Sequence, residues 1–87
     1  MHDRMRVQFA EADFEIGFNL VDMAEGEAIR GNYTRASRIL NDADNVFLDI
    51  QQILRRLTVS DQAPFGPLLT ELDRAIGLAK LHIASGR

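Results

Sequence analysis

Residues 33–57, YTRASRILNDADNVFLDIQQILRRL, hold the pattern that decides the fold. Tyr33, Ala36, Leu40, Ala43, Phe47, Ile50, Leu54 and Leu57 follow one another in alternating steps of three and four. That rhythm keeps every one of them on a single face of an α-helix and on no single face of a strand. Ile39, Val46 and Ile53 recur every seven residues on one shoulder and widen the stripe, while Arg35, Asp42, Asp49, Gln52 and Arg56 occupy the other side. Burying each large side chain of such a stripe stabilises by about 1.5–3 kcal/mol. Ordering the backbone costs about 1–2 kcal/mol for every residue of the helix, apolar or not. The helix therefore needs packing partners.

The first partner is upstream. Over residues 4–30, Met5, Phe9, Ala12, Ile16, Leu20 and Met23 form one line at helical spacing, and Val7, Phe14, Phe18, Val21 and Ala28 form a second. At about 100° per residue, Arg6, Asp13, Gly17 and Ala24 fall between the two lines, and Gln8, Glu11, Glu15, Asn19 and Asp22 fall opposite. Two apolar lines predict a helix that touches two neighbours. Gly31 suits the left-handed conformation that closes a helix, and Asn32 suits the N-cap of the next. Arg30, in the last turn, suits the negative end of the helix dipole.

Downstream, residues 58–67 lose the helical rhythm and contain both Pro64 and Pro67, so a loop is expected there. Leu68, Leu69, Leu72, Ile76, Ala79 and Ile83 restore helical spacing until Ser85-Gly86-Arg87. The expected fold is all-α: one domain over residues 1–87, an antiparallel up-down-up three-helix bundle with helices near 4–30, 33–57 and 67–84. An obligate dimer building a larger bundle is the alternative.

Composition narrows the function. The 87 residues are 46% hydrophobic and 26% charged, which is ordinary for a globular domain. The absence of cysteine excludes disulfides, thiolate catalysis and cysteine-bound metals. A net charge of −3 removes the positive field that nucleic-acid binding needs, so no nucleic-acid partner is expected. The polar, mixed-charge start and the lack of a long apolar run argue against a signal peptide or membrane span, so a cytoplasmic protein with no membrane partner is expected.

Gly31-Asn32-Tyr33-Thr34-Arg35-Ala36, followed by Leu40 and Ala43, resembles the central turn of a tetratricopeptide repeat, where a glycine, an aromatic and small alanines let two helices pack closely. The likeness covers about thirteen residues. It departs from the family pattern at Met23, Ala24 and Glu27, and again near Leu48, where the family's terminating proline would fall but the helical rhythm continues to Leu57. The resemblance implies a single helical hairpin with an overlong second helix and a protein-binding role.

Side chains that could carry chemistry are few. Glu11, Glu15 and Asp22 share one side of the first helix but lack the Glu-x-x-His spacing of a di-iron bundle. Asp42, Asp44 and Asp49 are interrupted by core positions Ala43 and Phe47, unlike a calcium loop. His2 and His82 are the only imidazoles, and neither has a sequence-local partner. Ser37, Thr58 and Ser60 lack a base at motif spacing. No enzyme activity, metal or cofactor is expected; the competing reading is a ligand site between helices built from Glu15, Asp22 and His82. Arg35, Arg38, Arg55, Arg56, Arg74 and Lys80 suit salt pairing between helices better than a nucleic-acid groove.

Apolar residues beyond the core stripes are the remaining clue. Leu48, Leu78 and Leu81 lie off the main faces of their helices, and the breadth of the first helix leaves Val7, Phe18 or Ile29 partly uncovered. Such a surplus suggests a contact surface for a protein partner or a second copy, a symmetric homodimer being the simplest solution. Phe18, Leu78 and Leu81 are the expected partner-binding residues, with Tyr33, Leu40 and Phe47 structural.

Overall fold

The computed structural model describes residues 4–86. α1 (Arg4–Ile29) and α2 (Tyr33–Arg55) form an antiparallel hairpin, a single-turn α3 (Val59–Gln62) and a 3-10 turn (Ala63–Phe65) reverse the chain, and α4 (Gly66–Ser85) packs on both long helices. The result is an up-down-up bundle of three long helices measuring 47 × 17 × 15 Å. No strand occurs among the described residues.

α2 folds as its rhythm predicts, two residues shorter at its end: Ala36, Leu40, Ala43, Ile50 and Leu54 are buried, as is Leu57 just beyond the helix, with Tyr33, Ile39, Val46, Phe47 and Ile53 half-buried against them. α1 follows its expected pattern in one line only: Phe14, Val21 and Ala28 are buried, with Val7 and Phe18 half-buried against the core. Its buried face is Ala10, Phe14, Gly17, Val21, Ala24 and Ala28, so Gly17 and Ala24, expected between two apolar lines, lie in the core. The expected line of Met5, Phe9, Ala12, Ile16 and Met23 faces solvent, and Leu20 alone of that line is half-buried. The reason is steric. Packed helices approach to about 8–10 Å, and the smallest side chains take the positions nearest the partner axes. A Cβ built on Gly17 would lie 3.0 Å from Leu72 Cδ2 and 3.6 Å from Val46 Cγ1, so α1, α2 and α4 meet at this glycine.

The α1–α2 turn closes with two backbone bonds, Asn32 N–H to the Glu27 carbonyl at 2.8 Å and Gly31 N–H to the Ala28 carbonyl at 3.0 Å, the Schellman arrangement. Gly31 takes φ +84°, as its position predicts. Asn32 is the N-cap residue of α2, but its side chain makes no cap bond. It turns back and its Nδ2 donates to Glu27 Oε1 at 2.8 Å, because that carboxylate sits one turn before the reversal.

Residues 58–65, expected as loop, are helical turns. Thr58 Oγ1 accepts the Asp61 N–H at 3.2 Å and starts α3, and Pro64 and Pro67 stand in the first turns of their elements, where a missing N–H costs nothing. Phe65 is buried and stacks on Phe14 with ring centroids 5.6 Å apart. Beyond it, Leu72, Ile76, Ala79 and Ile83 are buried as expected. Lys80 Nζ meets Asp44 Oδ2 at 3.0 Å and His82 Nδ1 meets Glu25 at 2.8 Å, tying α4 to α2 and to α1 respectively.

Substitutions at two glycines are expected to act in opposite directions. Gly17→Val forces Leu72 and Val46 apart and destabilises by about 1–3 kcal/mol. Gly77→Ala, with open space at its Cβ, gains about 0.5–1 kcal/mol from helix propensity. Phe65→Ala is expected to cost about 3–5 kcal/mol, as for a core aromatic. Urea unfolding followed by circular dichroism measures all three.

Candidate interaction surface

Closing the core with small residues beside Phe14 and Val21 leaves other large side chains of α1 outside. Met5 is 64% exposed, Phe9 57%, Ile16 47% and Met23 54%. With exposed Ala12 and Asn19 they run 5, 9, 12, 16, 19, 23, in unbroken steps of four and three. That is the spacing of a coiled-coil seam, with the inner seam of the same helix on its other side.

The stripe borders a groove between α1 and α2. Half-buried Leu20 from α1 and Ile39, Val46 and Ile53 from the shoulder of α2 pack against the core along it. At one end Arg6, Phe9, Asp13, Asp49, Gln52, Ile53 and Arg56 line a cleft of about 440 Å³. α4 takes the other side of the hairpin, where Glu25 and Asp44 reach it. Two long helices are thus covered on one side and open on the other.

Charge is distributed unevenly around this stripe. Between Arg6 and the end of α1, every charged residue is acidic. Glu15 and Asp22 border the stripe on its outer margin, and Asp13 borders it toward α2, by their positions on the helix. Partial burial, and then the charge of Asp49, raise the Asp13 pKa above the ordinary Asp value. Further along, Glu27 accepts from Asn32 and pairs with Arg30 at 3.2 Å and Arg35 at 3.6 Å. The Asn32 hydrogen bond first, and then the arginines, lower its pKa.

The expected partner residues fall elsewhere. Phe18 is half-buried and packs on the core. Leu78 is 47% exposed and Leu81 63%. Phe18 lies two turns before Glu25 on α1, and Leu78 one turn before His82 on α4, so these two share the α1/α4 edge that the Glu25–His82 pair closes. Leu81 points further from it. Leu48 and Ile29 are exposed, Ile29 the more so, and Val7 is half-buried.

The side chains of the competing ligand site do not converge: His82 pairs with Glu25, while Glu15 and Asp22 are exposed on the outer side of α1. Among the described residues no group of three His, Asp or Glu could hold a metal, and no polar side chain is buried. His2 lies outside the described residues. No helix among them is long and apolar enough to cross a membrane. No protein-family model, curated protein or solved structure matches the chain.

The stripe on α1 escaped the sequence pattern because its residues are as apolar as a core. Its signal was present in the small residues: Ala10, Gly17 and Ala24 recur every seven positions and mark the side of closest approach.

The two perturbed carboxylates have opposite pH signatures. A raised Asp13 pKa favours the protonated native state, so its contribution falls as pH rises from the ordinary Asp value through the raised one. Asp13→Asn is therefore expected to stabilise at neutral pH, with the gain vanishing as pH drops below the ordinary Asp range. Glu27, with a lowered pKa, contributes above the ordinary Glu range and loses that contribution as pH falls through its native value. Glu27→Gln is expected to destabilise at neutral pH and to match the parent in acid, in urea titrations run at a series of pH values.

Proposed function

We propose that this chain is a non-catalytic protein–protein interaction module that receives a helix along the outer side of its α1/α2 hairpin. The observation that carries the reading is the exposed line of Met5, Phe9, Ile16 and Met23. Scattered exposed apolar residues are ordinary, but a line at seam spacing, interrupted only by Asn19, beside an open groove has the form of a helix-docking face. The buried core beneath it is apolar among the described residues. The hairpin's likeness to a tetratricopeptide-repeat turn favours the same role. A cytoplasmic setting and the absence of any cofactor belong to the proposal.

A second contact is favoured by Leu78 and Leu81, which are exposed on α4, with Phe18 on the same α1/α4 edge as Leu78 by its helical position. This edge suits self-association into a homodimer and would leave the α1/α2 groove free.

The test pairs Phe9→Ser with Ile16→Glu on α1, and separately Leu78→Ser with Leu81→Ser on α4. All four side chains are exposed, so each pair is expected to shift the folding free energy by no more than about 1 kcal/mol. The α1 pair is expected to abolish capture of partners that co-purify with the parent chain. The α4 pair is expected to halve the mass of any dimer found by light scattering. Partner capture unchanged by the α1 pair would overturn the docking role of that helix.

A further inference from the structure

Resting on the interaction reading above, we propose that the α1/α2 groove takes an amphipathic helix from another protein whose apolar seam is bordered by basic residues in its middle turns. The apolar stripe gives length: Met5 to Met23 spans about 27 Å at about 1.5 Å per residue, so the occupant is a helix of roughly five turns.

Charge identifies which helix. The margins are acidic on both sides, with Glu15 and, toward one end, Asp22 on the outer side of the α1 stripe, Asp13 on its side toward α2, and Asp42 and Asp49 on α2. The α2 margin runs Arg35, Arg38, Asp42, Asp49, Arg56, so its cations stand toward the two ends and its anions in the centre. Arg35 is already engaged with Glu27, and Arg56 lines the end cleft with Arg6. Asp13 and Asp49 line the same cleft, and burial first, then the charge of Asp49, raise the Asp13 pKa, as befits two carboxylates facing one another. Cationic side chains laid across the central turns relieve that repulsion and extend over both acidic margins.

The same charges disfavour a second copy of this chain. An antiparallel pairing that sets Met5 against the copy's Met23 brings Asp13 and Glu15 near their own copies at the two-fold axis. A parallel pairing brings Asp22 toward the copy's Glu27, whose charge Arg30 and Arg35 already offset, so the acid-against-acid contact is strongest in the antiparallel seam. An anionic bilayer meets the same margins and is repelled by them.

The experiment uses the full chain and two synthetic peptides of about 21 residues with an identical leucine seam, about the length the stripe accommodates. One carries lysine at the seam-flanking positions of its middle turns and the other carries glutamate there. Binding is followed by fluorescence anisotropy and mapped by NMR amide shifts. The lysine peptide is expected to bind tighter by on the order of tenfold or more, and to lose that advantage as salt rises toward about 0.5 M. Ile16→Glu is expected to abolish binding, the Leu78→Ser and Leu81→Ser pair to leave it unchanged, and Asp13→Asn with Asp49→Asn to narrow the gap between peptides.

Equal binding of the two peptides at Ile16 would overturn the basic-helix inference and leave the docking face standing. So would a concentration-dependent dimer dispersed by Ile16→Glu, or Ile16-dependent binding to phosphatidylglycerol vesicles in preference to the lysine peptide. Failure of both peptides, with neither partner capture nor self-association changed by Ile16→Glu, would overturn the docking face as well.

Discussion

The packing at Gly17 governs the rest of the structure. Three helices converge where one residue has no side chain, and Leu72, itself completely buried, fills the space a Cβ would need. With Ala10 and Ala24 one heptad to either side, this glycine fixes which face of α1 is innermost. Everything else on α1 is then determined by rotation. Phe14 reaches Phe65 at one end of α4, Glu25 reaches His82 at the other, and the larger side chains of the opposite face are turned to solvent. A helix with two apolar faces has two ways to sit in a bundle, and the small residues choose between them.

How much of this was legible in the sequence differs by element. α2 was readable throughout, because its apolar and charged sides are cleanly opposed, and so was the Gly31 turn, whose conformation few other residues tolerate. α4 was readable from Leu72 onward. The turns of residues 58–65 were hidden because prolines and a polar run look alike in a loop and in a capped first turn, and the decisive contact, Phe65 on Phe14, joins residues far apart in the chain. The orientation of α1 was hidden because hydrophobicity counts side-chain size and helix contact rewards its absence. The surface was legible only in part: the surplus on α4 followed from the wheel, while the longer stripe on α1 looked like core. Ion pairs between helices, such as Glu25 with His82, depend on relative rotation and have no local signature.

The polar groups of the described chain are all at its surface, where their pairs orient helices instead of stabilising a core. Lys80–Asp44 and His82–Glu25 are exposed bridges of the kind that contribute little individually. Placed on the two sides of α4, they set its rotation between α1 and α2. Glu27 does the same for the hairpin, joining Asn32, Arg30 and Arg35 around the turn. The acidic residues left over are concentrated on α1, which gives the outer surface a chemical character that the core lacks.

The outer stripe has a geometric consequence of its own. Its steps of four and three average to a repeat slightly shorter than the turn of a straight α-helix, so the line drifts by about 20° for each heptad it traverses. From Met5 to Met23 that drift carries the apolar surface partway around α1, as a shallow left-handed helix of contacts. A straight rod laid parallel to α1 would leave the stripe before reaching its end. Contact along the whole length requires a helix inclined at about +20°, wrapping the hairpin with the same hand as a coiled coil. The spacing of a few exposed side chains on this small chain thus sets the inclination that any helix laid along the proposed docking face would need.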